Sequence, residues 1–222
     1  MLKFPSRWWT WSLMLALPVL VAGCSDDDDD CNDCGGWPPP YVQPTSSDNV
    51  LVNFQTAYRE RNADAYGRML ADDFHFYFDP ATRNELGIEL WSMEQDSTAT
   101  AGLFESADVT KITIDLEYPL GDNPVSGAGK ERWRHKRVTD VFLDVDVMPP
   151  GQEATTFRVE DQTQDFYFRQ GRTPADTLES SPTSQEWFLV EWRDRGTSPG
   201  LAPRLLATSS ASSWSKIKAL VN

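Results

Sequence analysis

The chain reads as an α+β fold, helices first and strands after, on three observations. Apolar residues recur every third or fourth place from Leu51 to Leu70. They recur every second place from Phe74 to Phe78 and again after Ile112. Gly- and Pro-rich breaks, such as 119–130 and Pro149-Pro150-Gly151, then separate the later runs as turns between strands.

The first helix starts at Ser47 or Asp48 as the cap, and Leu51, Phe54, Ala57, Tyr58 and Arg61 follow at helical spacing. A second, short helix begins at Asn62 or Asp64, turns Tyr66, Met69 and Leu70 inward, and ends at Asp72-Asp73. In the run that follows, Phe74, Phe76 and Phe78 share one face and His75 and Tyr77 the other, the mark of a half-buried strand. A third helical stretch is expected over 85–104, anchored by Ile88, Trp91, Leu103 and Phe104. Four strands complete the pattern. Ile112, Ile114, Leu116 and Tyr118 alternate with polar residues, two long strands cover Trp133–Met148 and Thr155–Arg169, and the last alternates Trp187, Leu189 and Glu191 with Phe188, Val190 and Trp192 after a polar loop at 171–185.

The first 23 residues belong to export rather than to this fold. Lys3 and Arg7 precede an apolar run from Trp8 to Leu20, too short for the ~20 residues of a spanning helix and of the length of a signal core. Val21-Ala22-Gly23-Cys24 then resembles a lipobox, in which small residues admit the peptidase and the thiol takes the lipid. Residues 1–23 are therefore expected to be a signal peptide, Cys24 the lipidated N-terminus, and the mature chain a cell-envelope lipoprotein, placed at the outer membrane on its periplasmic or surface face. Residues 24–47 read as an acidic, Pro-rich tether. Asp26–Asp30 form a self-repelling spacer, and the Cys-Ser-Asp-Asp start also resembles the acidic export signal of some surface lipoproteins.

Removal of residues 1–23 leaves 18 basic against 34 acidic residues, a net charge of −16. That sign repels phosphates, and no basic stripe with interleaved aromatics overrides it, so nucleic acid is excluded as an expected partner. With 40% apolar and 12% aromatic residues the chain can bury a sizeable core. Cys31 and Cys34 are left as Cys-Asn-Asp-Cys. In an oxidising compartment a local disulfide is the favoured reading, with loose divalent binding beside the aspartates and redox exchange left open. Two ligands do not make a zinc site, and neither a metal centre nor a cofactor is expected.

Residues 49–80, NVLVNFQTAYRERNADAYGRMLADDFHFYFDP, resemble the opening helix pair and first strand of the nuclear transport factor 2-like superfamily. Trp91–Phe104, the four later strands and the closing Ser213–Lys218 segment, with its Trp-x-x-Ile-Lys stretch, resemble a bacterial lipoprotein branch of it, so the likeness covers 48–222. What the resemblance implies is a cystatin-like α+β roll: a cone-shaped, curved antiparallel sheet wrapped around the N-terminal helices, with a pocket at its open end. Such folds host ketosteroid isomerases, scytalone dehydratases and polyketide cyclases, and also pockets with no chemistry, so fold does not choose function.

Acid–base chemistry in such a pocket needs a titratable group in reach of substrate. The candidates are His75, Tyr77 and Asp79 on the first strand and His135 and Asp140 on the third, none within a motif that matches residue by residue. Gly196-Thr197-Ser198-Pro199-Gly200 matches G-x-S-x-G but is rejected as a nucleophile elbow. Pro199 lacks the amide an oxyanion hole needs, and both histidines precede the serine. The expectation is therefore a lipid-anchored domain that binds a small apolar ligand or an envelope protein without catalysis, and that is able to pair as a homodimer. An enzyme of isomerase, dehydratase or cyclase type is the alternative.

Overall fold

The computed structural model describes residues 36–160, 162–176, 185–197, 209–211, 214 and 217. The signal segment, Cys24, Cys31, Cys34 and residues 198–200 of the G-x-S-x-G match lie outside the described residues.

Ser46 caps the first helix, α1 (Ser47–Glu60), one residue before the expected start, by accepting the Asn49 N–H. Val50, Leu51, Phe54, Ala57 and Tyr58 form its buried face. The helix stops at Arg61, whose φ of 52° is left-handed. A non-glycine residue there costs about 1–2 kcal/mol. Arg61 offsets it by donating to the carbonyls of Phe104, Ser106 and Val109 at 2.7, 2.8 and 2.7 Å. Asn62 then caps α2 (Ala63–Met69), as one of the two expected starts.

The strand β1 (Leu70–Tyr77) begins sooner than the sequence suggests, and Asp72 and Asp73 lie within it rather than ending the helix. Phe74, Phe76 and Phe78 all point into the core, as their alternation predicts. The helix expected over 85–104 divides. The segment α3 (Pro80–Leu86) is closed by Gly87 at φ 68°, and β2 (Leu90–Ser92) pairs antiparallel with β1, Trp91 opposite Phe76. Only then does α4 (Met93–Glu105) start, from a reciprocal capping box between Ser92 and Gln95.

The second half is strand: β3 (Val109–Glu117), β4 (Asn123–Pro124), β5 (Trp133–Val138), β6 (Asp140–Val147), β7 (Thr155–Val159), β8 (Gln162–Gln170), β9 (Trp187–Thr197) and β10 (Ser209–Ala211). They make a six-stranded sheet in the order β2-β1-β9-β8-β5-β4 and a four-stranded sheet in the order β10-β7-β6-β3. Each of the two long strands breaks once, β5 from β6 at Thr139 and β7 from β8 between Val159 and Gln162, and so runs from one sheet into the other. The bend follows from this. α1 packs against both β3 and β9, so the two sheets are walls of one surface around the helices. The sheet is mixed rather than antiparallel, because β1 lies parallel to β9 and β10 parallel to β7.

One register detail decides which side chains face out. Phe168 opposes Leu189 and Tyr167 opposes Glu191, so Val190 is an extra residue, a β-bulge. Leu189 and Trp192 are therefore both core residues, while Val190 joins Phe188, Ala71 and Trp133 in a small apolar cluster of its own. Strict alternation put Trp192 with Phe188 and Val190; the bulge resets the period.

The core is aromatic. Phe54, Tyr58, Tyr66, Phe76, Phe166, Trp192 and Trp214 are fully buried, and Phe54 touches five of the other rings or their neighbours at 4.9–6.0 Å. Trp214 donates its indole N–H to Tyr58 at 3.3 Å and, with Ile217, brings the C-terminal stretch into that core. Residues 36–46, expected as spacer, also lie on the domain. Tyr41 is buried against Trp37, the Arg68 guanidinium covers the Trp37 ring at 4.5 Å, and Val42 exchanges two hydrogen bonds with Asn53.

Candidate functional site

Acid–base chemistry inside the bent sheet would fall to Tyr66 on α2 and Asp96 on α4. The Tyr66 hydroxyl donates to Asp96 Oδ2 at 2.5 Å. Burial, then the Asp96 charge, raise the Tyr66 and Tyr58 phenols well above their ordinary values, so both stay neutral donors at neutral pH. The pair combines a carboxylate and a phenol, groups that acid–base chemistry can use, but it is walled in. Asp96 is 0% and Tyr66 1% exposed, and the rings of Phe54, Tyr58 and Phe104 stand 5.8–6.3 Å from the Tyr66 ring. Asp96 was not among the sequence candidates. Its signal was there: it precedes Ala99, Thr100 and Leu103 by three, four and seven residues, which places it on the buried helical face.

The opposite, outer face of the six-stranded sheet carries the histidines. Two adjacent rows cross β1, β9, β8 and β5. His75, Glu191, Tyr167 and His135 stand opposite one another in the first, and Tyr77, Arg193, Asp165 and Arg137 in the second. The structure thus brings His75, Tyr77 and His135 onto one surface and adds five residues that the sequence reading missed. Glu191, Arg193, Asp165 and Tyr167 sit at every second place beside Trp192, Phe166 and Phe168, Arg137 lies between Lys136 and Val138 on β5, and only pairing register shows that they align.

The lattice is held stiff. The Arg193 guanidinium lies over the Tyr77 ring at 5.0 Å and the Tyr167 ring at 4.9 Å, and its Nη2 donates to Glu191 at 2.5 Å. His135 stacks on Tyr167 at 4.7 Å. Its Nε2 is 2.8 Å from Asp165, whose side chain is fully buried and also accepts from Arg137 and Arg195. Burial pushes the Asp165 carboxyl up, but the bonds from Arg137, His135 and Arg195 outweigh it and hold the group well below the usual carboxylate range.

A cleft of about 280 Å³ opens at the end of β1 and β9, lined by Tyr77, Phe78, Pro80, Arg83, Glu89 and the Arg193–Arg195 stretch. Arg83 and Glu89 are both well exposed and 3.8 Å apart. Asp194 faces inward, accepting from Gln164 and from the Gly196 amide at 2.9 Å each.

The other sequence candidates sit apart. Asp79 lies past the end of β1 and caps α3 through the amides of Ala81 and Thr82, a structural task that follows from Asp before Pro at a helix start. Asp140 is exposed at the start of β6, opposite Glu117 and in the four-stranded sheet. Lys136, which the sequence reading left out, is buried on the inner side of β5, 2.7 Å from Asp48 and 3.3 Å from Asp122, and donates to the Gly121 carbonyl at 2.6 Å. Among the described residues no His, Cys, Asp and Glu group is placed to hold a metal ion, and no helix is long and apolar enough to cross a membrane.

No protein-family model matches the sequence, and no curated protein matches it. Solved structures of similar fold include a candidate scytalone dehydratase from Novosphingobium aromaticivorans, 7% identical, covering 74% of this chain and 89% of that one at a TM-score of 0.47. A nuclear transport factor 2-like superfamily protein from Salmonella enterica is 13% identical, covering 71% and 92% at a TM-score of 0.44. A domain of unknown function with a cystatin-like fold from Nostoc punctiforme is 9% identical, covering 67% and 74% at a TM-score of 0.40.

Proposed function

We propose that this chain is a lipid-anchored protein of the cell envelope whose domain is a non-catalytic binding module, and that it engages a protein partner with the outer face of its six-stranded sheet. One contrast carries the reading. The acid–base pair Tyr66–Asp96 is sealed inside aromatic rings, whereas His75, Tyr77, Tyr167, Arg193 and Arg137 stand ordered on a surface. Tyr and Arg held in fixed rotamers lose little entropy on binding and are the side chains that dominate protein interfaces.

A photoreactive amino acid at position 167, introduced in the native host, tests the surface. The expected result is one discrete cross-linked species that disappears with Arg193→Ala and does not form from position 156 on the other sheet. Cross-links of equal yield from both positions, or none from 167, would overturn the reading. The anchor is tested separately: Cys24→Ala should move the protein from membranes to the soluble fraction, and a variant that still pelleted after a high-salt wash would refute it.

The Tyr66–Asp96 pair supports a second reading, an isomerase, dehydratase or cyclase acting on a small organic substrate. That chemistry needs the interior to open far enough for substrate to replace aromatic side chains. Solvent-exchange protection of the Trp214 indole N–H as strong as that of the core amides would count against it.

A further inference from the structure

We infer that the domain meets the membrane with the end of the six-stranded sheet at which β1 and β9 begin, and that zwitterionic phospholipid headgroups are what this end contacts. The inference rests on the anchored reading above for what brings the domain to a bilayer.

Every tryptophan of the described domain that keeps some exposure stands at this end. Trp91, Trp192 and Trp214 are buried, whereas Trp37, Trp133 and Trp187 are half-buried. Trp133 opens β5 opposite Arg169, and Trp187 opens β9 opposite Gln170, the last residue of β8. Trp37 lies under Arg68, which comes two residues before β1. Each of the three carries a cation over its ring, Arg68 on Trp37 at 4.5 Å, Lys130 on Trp133 at 4.5 Å and Arg134 on Trp187 at 5.6 Å. An aromatic ring topped by a polar group is the amphipathic form that settles at the level of lipid headgroups.

Charge selects the kind of lipid. Arg169 and Arg172 pair with Asp73 and Asp72 at 2.8 Å each. Arg68 has Asp64 one helical turn earlier and Glu186 nearby, and Glu131 and Asp176 lie in the adjoining loops. With Lys130, Arg132 and Arg134 counted, six cations stand among six carboxylates. A surface so balanced has little field with which to hold an anionic lipid. A zwitterionic headgroup suits it, because its phosphate accepts from guanidinium groups while its ammonium meets the carboxylates.

The chain itself brings this end down. Residues 36–46 join the domain here, under Arg68 and through the Trp187 N–H, which donates to the Pro44 carbonyl at 2.7 Å. Twelve residues separate Cys24 from Gly36, a length that reaches at most about 43 Å. Seating the other end of β1 would use roughly 23 Å of that reach in running back along the strand from Leu70 to Tyr77. A domain held this closely meets the surface intramolecularly, so individually weak contacts suffice.

The test takes the chain from residue 24 with Cys31→Ser and Cys34→Ser, coupled through Cys24 to a maleimide-bearing phospholipid. The vesicles are phosphatidylcholine and phosphatidylethanolamine with a headgroup nitroxide. A fluorescent amino acid is placed at position 185, exposed beside Trp187, or at position 88, exposed beyond the other end of β1. Quenching should be several-fold stronger at 185 than at 88. Lys130→Glu with Arg132→Glu, both at the surface, should remove most of that difference, which closeness to the tether alone would leave in place. Equal quenching at the two positions, a difference that survives the double variant, or one that appears only with phosphatidylglycerol present would each overturn the inference. A photoreactive amino acid at 185 in the native host should capture phospholipid; capture of a protein instead would assign this end to that protein and overturn it too. Because the coupling supplies the anchor, the outcome is separable from the fractionation of Cys24→Ala. Strong quenching at 185 beside a Cys24→Ala variant that stays on membranes keeps this end and removes the natural lipid, and the reverse removes this end alone.

Discussion

The Tyr66 hydroxyl donates to Asp96 Oδ2 at 2.5 Å, with Asp96 wholly out of solvent. Tyr66→Phe removes one donor from a buried carboxylate and leaves the ring packing in place. It should lower the unfolding free energy by about 1.5–3 kcal/mol, read from urea midpoints. A change under about 0.5 kcal/mol would mean that the bond contributes nothing to stability.

Burial and the Asp96 charge raise the phenol values of Tyr58 and Tyr66, so folding favours the neutral form. This stabilisation is complete below the ordinary tyrosine value of about 10 and is lost as pH climbs towards the folded-state values. Alkaline titration should therefore show tyrosinate absorbance from these two residues rising together with loss of near-ultraviolet circular dichroism. Ionisation of both in a still-folded protein would contradict it.

Asp165 shows the opposite sign. Hydrogen bonds from Arg137, His135 and Arg195 hold the folded carboxyl below its ordinary value against the pull of burial, so its stabilisation is present above about pH 4 and fades as pH falls further. Asp165→Asn should destabilise by about 1–3 kcal/mol at neutral pH and by less in acid. Denaturant midpoints measured at neutral pH and below pH ~3.5 check this, and equal losses at both would refute it.

Lys136 has no solvent contact and answers two carboxylates, Asp48 on α1 and Asp122 in the loop after β3. Lys136→Met leaves those charges without their cation and should cost about 3–5 kcal/mol. Adding Asp122→Asn should recover part of the loss in a double-mutant cycle; additive losses would show that the two groups are not coupled.

Trp214 lies within 4.8–6.0 Å, ring to ring, of Trp192, Tyr58 and Phe54. Trp214→Ala should open a cavity and cost about 3–5 kcal/mol in thermal or chemical unfolding. A near-neutral result would show that the C-terminal stretch is dispensable for the fold.

Periodicity alone carried the sequence reading as far as the aromatic face of β1, both N-terminal helices, the alternation of β3 and the strand content of the second half. It failed where one residue changes the count. Val190 as a bulge, Gly87 as a helix stop and Thr139 as a strand break are local events that a repeat cannot signal. The candidate surface was half legible. His75, Tyr77 and His135 stand out as residue types, whereas Asp165, Glu191 and Arg193 gain meaning only from pairing across strands that are distant in sequence. Parallel pairing of β1 with β9 joins residues more than a hundred positions apart, and no local pattern encodes it.

The two long strands that cross from one sheet to the other behave as continuous ribs. A force or a thermal fluctuation that loosens the four-stranded layer is carried along covalent backbone, through Thr139 and from the end of β7 to the start of β8, into the strands that bear the arginine and tyrosine rows. The outer surface is therefore expected to keep its spacing until the whole domain gives way in a single step.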